Sequence, residues 1–207
     1  MASPDIELMA HLMRRAGFGA TYEELEQFTA NGYEATVDEL LSPMEQPDLE
    51  MDLLERYFID WKEMNALEVN QAYLTYRMIN TKRPLQEKMT LFWHGIFCVG
   101  QSKCEHGAQI QHQLDMFREK GMGSFPELLL ALSVDPAMVF YLDNCMSHKD
   151  AINENFGREL LELFAMGVGM DGHANYTEED VKECARAFTG WTIANGMPPQ
   201  PYGRYTS

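Results

Sequence analysis

The sequence predicts an all-α protein, an irregular multi-helix array of about eight to ten helices with no substantial sheet. Three observations carry this expectation. Apolar residues recur three and four apart along most of the 207 residues. Ser, Thr or Asp followed by an acid or a proline opens segment after segment, as helix starts do. No stretch of useful length alternates apolar with polar residues, and no internal repeat is present.

Ile6, Met9, Leu12 and Met13 form an apolar stripe, which Gly17-Phe18-Gly19 ends. Thr21 with Glu24 reads as a capping box, opening a helix that carries Leu25 and Phe28 and stops at Asn31-Gly32. A short helix, Tyr33 to Leu41, follows. Pro43 and Pro47 mark the region 42–48 as an internal linker. From Leu49 to Asn80 the helical spacing runs too long for one ordinary helix, so a break is expected near Asn65 to Asn70. Pro84 suits the first position of the next helix, because its missing N–H costs nothing there. That helix carries Leu85, Met89, Phe92, Trp93 and Phe97. A polar helix from about Glu105 to Lys120 is next. Ser124 with Glu127 reads as another capping box, and Asp135-Pro136 as an N-cap with proline at the first helical position.

The densest stretch is Ile152 to Trp191. Phe156, Leu160, Leu163 and Phe164 share one helical face, and Glu154, Arg158 and Glu162 form an acid–base–acid file at intervals of four. Gly167 stands where a left-handed cap wants glycine. The loop Val168 to Tyr176 leads to Thr177 and Asp180, a near-capping box that opens a helix burying Val181, Cys184, Ala185 and Phe188. Residues 192–207 read as an irregular tail. The whole chain reads as one all-α domain.

Composition bounds the function. Sixteen basic against 32 acidic residues give a formal charge of −16, which repels phosphate backbones and argues against nucleic acid as a partner. No apolar run approaches the roughly 20 residues that span a bilayer. Cys98, Cys104, Cys145 and Cys184 form no CxxC pair, so free thiols are expected. A Cys98–Cys104 disulfide would need export. No signal peptide is legible, which makes a cytoplasmic protein the default reading if Met1 is the true start.

The familiar catalytic motifs are absent. There is no HExxH, no Glu-x-x-His, no GxxxxGK[ST] and no GxSxG. Candidate catalytic residues are therefore His94, Glu154, Arg158, Glu159 and Glu162. Carboxylates at the edge of a core can act as general acid or base, and His94 alone among the histidines lies in a strongly apolar segment. Arg158 between two acids argues instead for a structural ion-pair ladder. A divalent metal is the cofactor such a site would take, with His94, Glu159 and Glu162 as its candidate ligands.

Four segments together resemble one bacterial family, called domain of unknown function 1800. They are HLMRRAGFGAT (His11 to Thr21), RPLQEKMTLFWHGIF (Arg83 to Phe97), DPAMVFYLDN (Asp135 to Asn144) and NENFGRELLELFAMGVG (Asn153 to Gly169), the last continuing to Trp191. The resemblance implies no settled activity. It implies a second histidine in the Trp-His-Gly segment, where this chain has Ile96. It also implies a chain running well past Trp191, so residues 1–207 read as the N-terminal part of a longer family domain. Many family members resemble exported proteins and are encoded beside a sulfatase-like family of unknown function, which the resemblance makes a partner. The leading expectation is a helical interaction or assembly module with a buried polar network. The alternative is a metal-assisted or acid–base hydrolase, with its site around the 153–164 helix and His94.

Overall fold

A computed structural model describes residues 4–50, 56–57, 67–104 and 106–193. Eleven α-helices lie among the described residues, and the only sheet there is a two-stranded hairpin. One of the eleven, the single turn Gln101–Cys104, is too short to leave a periodic signature in sequence. No described helix is long and apolar enough to cross a membrane. Where the sequence suggests one domain, the contacts cluster into two compact units, Met1–Trp93 and His94–Ser207.

The first unit contains α1 (Pro4–Ala16), α2 (Tyr22–Asn31), α3 (Tyr33–Leu41), a 3-10 turn (Pro43–Glu45), α4 (Leu67–Asn80) and most of α5 (Pro84–Ile96). The Thr21–Glu24 capping box forms in full, with each side chain accepting from the other's backbone N–H. Met9, Met13, Leu25 and Leu40 make a buried cluster, with Ile6, Phe28 and Leu85 packed against it. Lys88 donates to Gly17 O at 2.9 Å, placing a cation at the carboxyl end of α1 where the helix dipole favours it. The expected break near Asn65 to Asn70 meets the start of α4 at Leu67, while Leu53, Leu54, Phe58, Trp61 and Met64 lie outside the described residues.

Two features of this unit depart from the expectation. The 42–48 linker is tied down: Arg83 donates to Gln46 O through Nε (2.9 Å) and Nη2 (2.6 Å), and Arg77 reaches Asp48 at 2.8 Å. On α5, the fully buried positions are Gln86, Glu87 and Thr90, while Phe92 is exposed. Arg77 of α4 meets Glu87 at 2.7 Å, so a buried ion pair claims the face that apolar spacing assigned elsewhere.

The second unit contains α6 (Gln101–Cys104), α7 (Gly107–Lys120), α8 (Phe125–Ser133), α9 (Pro136–Tyr141), a 3-10 turn (Asn144–Met146), α10 (Asn155–Glu159) continuing into a π turn (Leu160–Ala165), the strands β1 (Gly169–Met170) and β2 (His173–Ala174), and α11 (Glu178–Ala187). Phe97, Phe117, Leu128, Leu132, Met138, Phe156 and Val181 are among its buried apolar residues. Phe97 meets Phe164 edge to face, with centroids 5.2 Å apart, and Phe156 meets Phe188 in the same way at 4.9 Å. Asp135 caps α9, accepting from Met138 N at 2.9 Å. The Ser124 side chain makes no capping bond, contrary to expectation. Pro126 removes one of the N–H groups that a capping hydroxyl could take.

Candidate functional site

The stretch from Asn153 to Ala187 folds as α10, the π turn, the hairpin and α11. Asn153 starts it, its Oδ1 accepting from Asn155 N at 2.9 Å. At Gly157 the backbones of α10 and α11 approach so closely that an added Cβ would stand 2.8 Å from Ala185 N. Only glycine permits that contact. Behind this crossing lie Phe156, Val181 and Ala185, all buried.

After Glu159 the helix widens. Met166 N donates to Leu161 O, five residues back, as a π turn requires. This single change of register rearranges the side chains predicted to line up. In a regular α-helix Glu162 would stack one turn beyond Arg158. Here Glu162 Oε2 accepts from the Tyr176 hydroxyl at 3.0 Å. Arg158 bridges Glu154 at 3.2 Å and, from α11, Glu178 at 3.0 and 2.8 Å. The predicted Glu154–Arg158 pair is present, and the predicted Arg158–Glu162 pair is replaced. Leu163, placed on the inward face by its spacing, lies in this π turn and is exposed. Gly167 at φ 71° then ends the helix, and the Asn175 amide donates to Met166 O and Gly167 O at 2.6 and 3.1 Å.

The electrostatics of this cluster are those of a solvated network. Hydrogen bonding to Glu178 raises the Arg158 guanidinium above its ordinary range, and the same bond lowers Glu178. Tyr176 is raised, by burial and then by its bond to Glu162. Glu159 is half-buried, and no hydrogen bond or ion pair joins its side chain to another described residue.

His94 sits near the end of α5. It is half-buried, and burial lowers its pKa. Its Nδ1 is buried without a hydrogen-bond partner among the described residues. Among those residues no three His, Cys, Asp or Glu side chains are placed to hold a metal ion, so His94, Glu159 and Glu162 are not gathered into a ligand set. The four cysteines are free thiols, with Cys104 buried and its pKa pushed up to about 11 by burial.

The sequence reading missed a second polar system in this unit. Gln113 of α7 donates to Asp135 Oδ1 at 2.8 Å, inside the α7–α9 contact, and Asp135 is itself buried. Burial raises its pKa, against the Met138 N–H, the Gln113 amide and His112, which lower it. Asn144 is almost wholly buried, and neither of its amide atoms has a partner among the described residues. Asp135-Pro136 signals the cap locally, but Gln113 lies 22 residues away and nothing nearby in sequence announces it.

The family model described as protein of unknown function (DUF1800) matches residues 11–206, nearly the whole chain. No curated protein and no solved structure matches it. The match covers far more than half of the sequence, and the chain belongs to the DUF1800 family of proteins of unknown function.

Proposed function

We propose that the chain is a helical interaction or assembly module, in which polar side chains on the helices set how segments of the fold lie against one another. The observation that supports this reading most is that Glu154, Arg158, Glu162, Tyr176 and Glu178 are bonded to one another. Arg158 joins α10 to α11 through Glu154 and Glu178, and Tyr176 closes the hairpin's far end onto Glu162. A group held by such bonds fastens an element and is not poised over a substrate. The charge of −16 disfavours nucleic acid as the partner. A sulfatase-like protein is the partner that the family resemblance implies, with export of both as the corresponding location.

A hydrolase built on His94, Glu154, Arg158, Glu159 and Glu162, with a divalent metal, is the second reading. One observation favours it: the buried, unpartnered Nδ1 of His94, the kind of site at which an imidazole is tuned for acid–base work.

Metal analysis of the purified chain and of a Glu159→Gln/Glu162→Gln variant separates the two. The module reading expects the same circular dichroism and no stoichiometric metal in either protein. A parent that holds one metal ion per chain, and a variant that is equally folded but has lost it, would overturn that reading in favour of the hydrolase.

A further inference from the structure

Between Leu163 and Met170 four large aliphatic side chains stand in solvent: Leu163 is 65% exposed, Met166 48%, Val168 62% and Met170 80%. Scattered exposed apolar residues are ordinary, but four within eight consecutive positions concentrate apolar surface in one place. The element that carries them is well held. The π turn is closed at its end by Gly167, the Asn175 amide ties down two carbonyls there, and β1 pairs with β2. Two of the four are methionines, whose unbranched thioethers adapt to partners of varied shape.

Charge says what would cover this surface. Residues 150–193 hold nine acidic and three basic side chains. All three basic ones are already taken within the segment: Arg158 by Glu154 and Glu178, Lys182 by Glu179, and Arg186 by Glu183. Glu159, Glu162 and Asp171, which flank the apolar stretch, have no basic partner among the described residues.

We propose that the π turn and hairpin form a docking surface for a basic amphipathic segment of a partner protein. Its apolar side chains pack on Leu163, Met166, Val168 and Met170, and its Lys or Arg residues face Glu159, Glu162 and Asp171. A second copy of this chain would set acid against acid, and an anionic membrane would be repelled by the same carboxylates. The inference rests on the interaction-module reading and names the chemistry of its partner.

The test uses the whole chain with ε-13C-methyl methionine and a synthetic amphipathic helical peptide of leucine and lysine. Binding is followed by fluorescence anisotropy and methyl shifts. The peptide is expected to bind, to move the Met166 and Met170 methyl signals, and to weaken with salt. A charge-neutral variant, Leu163→Gln/Met170→Gln, is expected to lose about tenfold in affinity. Both positions are exposed, so the fold does not depend on them. Affinity unchanged in that variant would mean that net charge alone holds the peptide and would overturn the proposal. So would equal binding of a leucine/glutamate peptide, no binding of the leucine/lysine peptide, self-association that the variant abolishes, or variant-sensitive binding to phosphatidylserine vesicles. None of these outcomes touches the metal content of the Glu159→Gln/Glu162→Gln protein, so failure here and failure of the module reading are told apart.

Discussion

Arg77 and Arg158 each bridge two carboxylates, one in each compact unit. Arg77 meets Glu87 at 2.7 Å and Asp48 at 2.8 Å. Arg158 meets Glu178 at 2.8 Å and Glu154 at 3.2 Å. The distances are alike and the surroundings are not. The Arg77 and Glu87 side chains are 5% and 0% exposed, whereas Arg158 is 36% exposed and Glu178 70%. Burial works against the Arg77 charge, and Tyr73, Glu87 and Asp48 together outweigh it, so its pKa still rises. Taking a charge out of water is costly, and only a well-placed partner offsets it. In the solvated pair, water competes with the partner and salt screens both. One arrangement is thus critical to the fold, and the other sets where segments lie at little energetic consequence.

The largest effect is expected from breaking the buried pair. Glu87→Ala leaves Arg77 with the half-exposed Asp48 as its acidic partner among the described residues and should cost about 3–5 kcal/mol in urea denaturation. The double variant Arg77→Met/Glu87→Leu should recover much of that loss, because it removes both desolvated charges. If the single variant is as stable as the parent, the buried pair is no more important than the exposed one, and the contrast fails.

Asp135 is the intermediate case, a buried carboxylate held by N–H donors instead of a cation. Asp135→Ala removes the α9 cap and leaves the Gln113 amide unpaired, which should cost roughly 2–4 kcal/mol. Its pH dependence has a definite sign. The folded pKa lies above the ordinary 3.8, so the folded state binds more protons between the two values. Stability from this group is full below 3.8 and is lost as pH rises through the folded pKa. Asp135→Asn keeps an oxygen for Met138 N, and should remove that component from urea midpoints measured across the window. A parent and variant with parallel pH profiles would show that Asp135 does not titrate there.

The smallest effect is expected at Arg158. Arg158→Ala should leave the melting temperature close to the parent's, and adding salt should narrow the difference further. A large drop would move Arg158 into the class of Arg77.

Much of the local structure was legible. The Thr21–Glu24 and Thr177–Asp180 boxes, the Asp135 cap, the Gly167 stop and the start of α5 at Pro84 all form where the sequence placed them. Each is a contract among residues within four positions of one another. Asp171-Gly172, within the loop expected from Val168 to Tyr176, belongs to the same class. Both residues have positive φ (55° and 81°) between β1 and β2, as a two-residue hairpin turn requires, and Asp-Gly is a strong signal for one.

The candidate site was half legible. Glu154 and Arg158, one α-helical turn apart, pair as their spacing said. Glu162 does not join them, because the helix changes to π register at Leu160, and Glu178 takes its place from 20 residues away. Nothing in the local spacing distinguishes the two outcomes.

By itself, then, the sequence determined the helical class, most helix ends, the acidic surface and the family. Those depend on backbone dihedrals, short-range caps and net charge, which a residue carries with its near neighbours. Tertiary structure alone decided which charges are buried and which are solvated, that α5 turns Glu87 inward and Phe92 outward, that α10 widens, and that Leu163 lies in solvent. Those depend on partners far along the chain, because the cost of burying a charge is set by what folding brings beside it.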